Sequence, residues 1–124
     1  MKESTSDPSS EPGAASTVRG SVLLRRDEEQ VHILVTGEVD MSVADDFYRA
    51  TALVAAEPAP AIILDVAAVT FADSTLLHGI ARLHRISKTT GATLVIANPS
   101  PSIHRLLAIT GLQDLIEANG AQPG

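Results

Sequence analysis

The chain has 124 residues, 44% of them hydrophobic, and a formal net charge of -6. That allows one domain with a substantial core and excludes the basic face that a direct nucleic-acid partner would need. It contains no cysteine, which excludes disulfides, thiol chemistry and cysteine-based zinc sites, and with two Phe, one Tyr and no Trp the core falls to Val, Ile, Leu and Ala.

Residues 1–17, MKESTSDPSSEPGAAST, are rich in Ser, Pro, Glu and Gly without apolar periodicity, the composition of a disordered tail. No apolar run resembles a signal peptide or is long enough to span a bilayer, so the chain reads as soluble and cytoplasmic. The domain is expected over 18–118, with 119–124 as a flexible C-terminal tail.

Two short runs, Ser21–Asp27 and Gln30–Thr36, flank Glu28-Glu29. In the second, Val31, Ile33 and Val35 alternate with His32, Leu34 and Thr36, the period of a strand, and the two runs predict an antiparallel pair. Gly37 reads as the turn closing the second strand and Asp40 as a helix cap. Val43, Phe47, Ala50 and Val54 then fall at helical spacing, with Asp45, Asp46 and Arg49 on the outer face. Ser42 and Asp45 have the spacing of a capping box, and Pro58 to Pro60 end the helix.

Ala61–Val66 is apolar apart from Asp65, as expected of a strand buried on both faces. Beyond Asp73-Ser74-Thr75, residues Leu76, Leu77, Ile80, Leu83, His84 and Ser87 trace a helix that Gly91 stops. Thr93–Ala97 is a second buried strand. Ser100-Pro101 opens the last helix, with Ile103, Leu106, Leu107 and Thr110 as its inner face and Gly111 as its end. A short strand fits at Leu115–Ala118. The sum is an α/β fold: an opening antiparallel strand pair, the Val43–Val54 helix, then βαβα, with helices packed on a mixed sheet.

The turn at Asp73-Ser74-Thr75 is the most informative feature. It puts a small hydroxyl where backbone N–H groups are free and the helix dipole is positive, a position that favours an anion. On the residues alone, Asp73 or Ser74 is an N-cap worth about 1 kcal/mol. Ser74 and His78 share a helix face, and with Asp73 they invite a hydrolase reading. No G-x-S-x-G elbow surrounds Ser74, however, and no oxyanion hole is identifiable, so no catalytic residue is assigned. The four histidines, His32, His78, His84 and His104, fall on different elements without metal-ligand spacing, so no metal site is assigned either.

Three separated motifs carry a resemblance: Thr36-Gly37-Glu38-Val39-Asp40, Val69-Thr70-Phe71-Ala72-Asp73-Ser74-Thr75, and Ile109-Thr110-Gly111-Leu112. In this order, over roughly Gly20 to Ala118, they resemble the STAS domain of bacterial anti-sigma-factor antagonists. The resemblance implies a single STAS-like domain acting as a phosphorylation-switched binding module in transcription regulation and stress response. Unphosphorylated, it would bind a serine-kinase anti-sigma factor and so free a sigma factor; phosphorylated, it would let go. ATP would belong to the kinase, a phosphatase would reset the switch, and the protein itself would use no cofactor and catalyse nothing.

Carried over by position, Ser74 takes the phosphorylated place, with Thr75 a minor candidate, and Asp40 lies near it. Asp40, Asp73, Ser74, Thr75, Leu76 and Leu77 are the expected partner-contacting residues. A phosphoserine brings about -1.5 to -2 charges. At a helix N-terminus these are locally favourable, so loss of binding would come from desolvation and repulsion rather than from unfolding.

The chain departs from the family pattern Asp-Ser-Ser/Thr-Gly-Leu-Gly, because Leu76 and His78 replace the two glycines. Leu76 would place an apolar group beside Ser74, either as a contact tuned to one partner or as an obstacle to a kinase. It is also the feature that favours the alternative, a STAS-like accessory subunit of a lipid or anion transport system, indifferent to phosphorylation. After Glu117 only Ala118 to Gly124 remain, where the family commonly adds a further helix.

Overall fold

The computed structural model describes residues 19–116. The two expected tails, and Glu117 and Ala118 of the expected last strand, lie outside the described residues. Strands β1 (Ser21–Arg26) and β2 (Gln30–Val39) form the antiparallel pair, with Ser21 opposite Thr36 and Arg26 opposite Val31. The turn between them is tied by Asp27, whose Oδ1 accepts the backbone N–H groups of Glu29 and Gln30 at 2.8 and 3.0 Å. These two bonds hold the Asp27 carboxyl below the usual carboxylate range.

Helix α1 (Ala44–Ala56) follows, then β3 (Ala61–Ala72), α2 (Ser74–Thr90), β4 (Thr93–Ala97) and α3 (Pro101–Ile109). The sheet order is β1-β2-β3-β4, and β3 pairs parallel with both β2 and β4. The alternation read in β2 puts Val31, Ile33 and Val35 into the core. They cluster there with Ile62, Leu64 and Val66 of β3, Phe47 and Val54 of α1, and Leu76, Ile80 and Leu83 of α2. Where α1 and α2 meet, Gly79 lies against the Phe47 ring and a Cβ would overlap it, so this glycine sets how closely the two helices pack.

Helix ends follow their local chemistry. Gly91 ends α2 at φ 82°, its N–H bonding the Ser87 carbonyl at 2.8 Å, and Ser100 caps α3 through the Ile103 N–H at 3.3 Å with Pro101 in the first turn.

Several local expectations are corrected. Gly37 does not close β2: the strand continues to Val39, and Gly37, at φ 76°, sits where the register against β3 shifts between Gly37 and Glu38. Its positive φ serves a bulge rather than a turn. β3 does not stop at Val66 but runs on to Ala72, while β4 pairs only with Ala61–Asp65, so the far half of β3 is held by β2. The Ser42–Asp45 capping box does not form; α1 has no side-chain cap and is entered through a 3-10 turn, Met41–Val43, capped by Asp40. Thr110 is exposed at the end of α3 rather than on its inner face. Of the expected last strand, Leu115 belongs to a 3-10 turn and Ile116 makes a single parallel bridge to Ile96.

Candidate functional site

β2 and β3 finish in register, Val39 opposite Ala72, and the next residue on each strand is an aspartate. The Asp73 N–H donates to the Val39 carbonyl at 3.1 Å. The parallel ladder therefore extends into the site and sets Asp40 and Asp73 beside each other.

The two aspartates do the same work. Asp40 Oδ1 accepts the Ser42 N–H at 2.9 Å and the Ser42 hydroxyl at 2.6 Å, capping the 3-10 turn. Asp73 Oδ1 accepts the Thr75 N–H at 2.8 Å, capping α2. Each satisfies a backbone donor that a helix start leaves orphaned. The Ser42 hydroxyl bond, then the Ser42 N–H, hold the Asp40 carboxyl below the usual range, with a smaller contribution from the Arg19 guanidinium. Arg19 is itself anchored by a 3.1 Å bond from its Nη2 to the Ser42 carbonyl.

Ser74 is the first residue of α2 and is exposed, whereas Thr75 is 8% exposed. The accessible hydroxyl at the positive end of the helix is therefore that of Ser74. Ser74, His78 and Arg82 follow one another at four-residue spacing and line one recess of about 470 Å³. Its far wall is built by Met41, Ala44, Asp45 and Tyr48. The Arg82 guanidinium lies over the Tyr48 ring, 4.4 Å from its centre, a cation–π contact that joins the two walls.

The structure brings Asp40, Asp73, Ser74 and Thr75 together at the ends of neighbouring strands. Leu77 is half-buried and packs against the core. Leu76 is a correction: its side chain is 0% exposed and belongs to the core cluster with Ile80 and Leu83. The helical period puts these three residues on the inner face, so Leu76 offers no surface to a partner and places no apolar group in solvent beside Ser74.

Two residues of this surface were not singled out by the sequence. Met41, directly after Asp40, is 82% exposed, and Phe71, shortly before Asp73, is 54% exposed. Large apolar side chains left in water beside a polar cluster are typical anchors of an interface. The available signal was their position: Met41 directly follows the capping Asp40, and Phe71 stands two residues before the capping Asp73 near the end of β3.

Among the described residues no group of three or more His, Asp or Glu is placed to hold a metal ion, and no helix is long and apolar enough to cross a membrane.

Comparison with known proteins bears on the fold and the family. The anti-sigma-B factor antagonist of Listeria monocytogenes is 28% identical over 97 residues, covering 78% of this chain and 85% of that protein. Among solved structures, the anti-sigma factor antagonist SpoIIAA in its unphosphorylated form superposes with a TM-score of 0.70 at 19% identity, over 78% of this chain and 86% of that one. An anti-sigma factor antagonist from Mycobacterium paratuberculosis gives 0.65 at 24% identity, over 79% and 83%. The same fold occurs in a sulfate transporter family protein from Wolinella succinogenes, with a TM-score of 0.57 at 20% identity over 72% and 70%. At these identities the structural likeness establishes the fold. The model of the STAS domain matches residues 21–121, and the chain belongs to the STAS domain family.

Proposed function

We propose that this protein is an anti-sigma-factor antagonist whose binding surface is the C-terminal ends of β2 and β3 with the start of α2. In the unphosphorylated state it binds an anti-sigma factor that is also a serine kinase and so frees a sigma factor; phosphorylation on Ser74 ends the complex, and a phosphatase restores it. ATP is the kinase's cofactor. The cycle belongs to the cytoplasm, where the sigma factor works.

The observation that carries this reading is the exposed Ser74 hydroxyl on a helix N-terminus that Asp73 has already capped. A phosphate added there meets the favourable end of the helix dipole and leaves the Asp73 cap in place, so the fold persists. The bound partner, in contrast, meets a strongly hydrated dianion next to Asp40 and Asp73, and repulsion and desolvation oppose the complex. Met41 and Phe71 supply the apolar contact that a purely acidic patch lacks.

The burial of Leu76 bears on the choice between readings. A leucine in the core leaves the approach to Ser74 open, so it neither blocks a kinase nor gives a reason to prefer a transport-associated role without phosphorylation. The test is intact-mass analysis of the protein purified from its own host, before and after phosphatase, with Ser74→Ala as control. The expected result is a phosphatase-sensitive gain of about 80 Da, one phosphoryl group, mapped to Ser74 and lost in Ser74→Ala. A protein that carries no phosphate with its kinase present contradicts the proposal.

A further inference from the structure

The residue one turn beyond Ser74 is His78, exposed and lining the same recess. We infer that His78 is the intramolecular partner of the Ser74 phosphate: its imidazole donates an N–H to a phosphate oxygen and holds the group along the face of α2 that looks towards α1. The inference rests on the reading of Ser74 as a phosphorylated residue.

Geometry and charge support it together. Residues four apart on a helix are surface neighbours, and the arrangement with the acid N-terminal to the base is the favourable one. His78 lies beyond the first turn of α2, where the helix dipole no longer opposes a positive charge. The recess of about 470 Å³ leaves room for a phosphate on the α1 side, where Ala44, Thr75 and Gly79 line it together with the larger Met41, Phe47 and Tyr48.

Among the described residues, four charged or hydroxyl-bearing groups besides Thr75 and Thr51 line the recess with His78. From its own helix they are Ser74 and Arg82, and from α1 they are Asp45 and Tyr48. Arg82 is held over the Tyr48 ring and adds positive charge to the same recess. Asp45 lines the opposite wall of the recess. Phosphorylation adds a dianion one turn away from His78, on the same helix face.

The test installs phosphoserine at position 74 during translation of the full chain, so no kinase is needed, and follows the ³¹P resonance from about pH 4 to 8 around the ordinary second ionisation near 6. Wild type is compared with His78→Gln; both positions are exposed, so neither change disturbs the core. The expected result is a midpoint about 0.3 of a pH unit lower in wild type than in His78→Gln, with the ring ¹⁵N resonances of His78 moving on phosphorylation while those of His84 and His104 stay. Coincident ³¹P curves with unmoved His78 resonances overturn the inference. If those curves coincide while the protein from its host does carry phosphate on Ser74, only the role of His78 fails. If the host protein carries none but the curves separate, the reading of function fails and the contact stands.

Discussion

Leu76→Ala separates the two roles open to this residue, because a core side chain and a partner contact fail in opposite assays. Leu76 is among the largest fully buried side chains, at 0% exposure. Truncation removes about three methylene equivalents at about 0.8 kcal/mol each, a transfer loss of about 2.4 kcal/mol. The cavity left between β-sheet and helix adds about 1 kcal/mol, for a total of about 3 kcal/mol, inside the range seen for buried leucines. A domain of this size has about 5–15 kcal/mol to lose from, so the variant still folds. With a urea dependence of about 1.5 kcal/mol per molar, the unfolding midpoint falls by about 2 M. Far-UV circular dichroism measures it, with the fluorescence of the single tyrosine, Tyr48, as a second probe. The folded variant is phosphorylated on Ser74 and binds its partner as wild type does. A midpoint that moves by less than about 0.5 M, or a stable variant that no longer binds, refutes the placement of Leu76 in the core.

Other perturbations probe the rest of the site. Asp73→Ala removes the α2 cap and costs about 1 kcal/mol, read as a lower urea midpoint; a change indistinguishable from zero contradicts the capping role. Met41→Ser and Phe71→Ser leave stability within about 0.5 kcal/mol but each weaken partner binding about tenfold or more; unchanged affinity in both removes them from the interface. Acid sensitivity follows from Asp27 and Asp40, whose carboxyls are held below the usual range by bonds from Glu29 and Gln30 and from Ser42. A depressed folded-state pKa gives stability that is complete above the unfolded value, about 3.9, and is lost as pH falls through the folded value. Thermal melts therefore hold steady between about pH 7 and 5 and decline below about 4, and the decline is shallower in Asp27→Asn with Asp40→Asn. Equal declines in the two proteins contradict the assignment.

Much of this architecture was legible in the order of residues because each element carries its own punctuation. The alternation of Val31, Ile33 and Val35 specified β2, Gly91 and Ser100-Pro101 marked helix ends, and the run from Leu76 to Leu83 gave α2 its inner face. The misreadings came where local signals had two meanings. Gly37 has the positive φ of a turn residue, yet whether such a residue turns the chain or bulges a strand depends on the neighbouring strand, which is a non-local fact. The far half of β3 was missed because Ala67, Ala68 and Thr70 are exposed and show no alternation, so pairing with β2, not hydrophobic pattern, keeps them extended. Leu76 is instructive in another way: the helical period already placed it with Ile80 and Leu83, and comparison with a family pattern that has glycine there pointed to the surface instead. The acidic and hydroxyl residues of the site were visible as a motif, but their adjacency depends on the Val39–Ala72 register, and the exposed apolar side chains of Met41 and Phe71 become evident only from the structure.

The central claim is that a phosphate on Ser74 changes what the protein binds without changing its fold. The most direct measurement is calorimetric titration of the cognate anti-sigma factor with two full-length forms, one with serine and one with phosphoserine at position 74, alongside circular dichroism of each. The account predicts tight binding by the serine form, a loss of at least about a hundredfold in the phosphoserine form, about 2.7 kcal/mol at 25 °C, and matching spectra. Equal affinities, or a phosphoserine form that has lost its secondary structure, would contradict it.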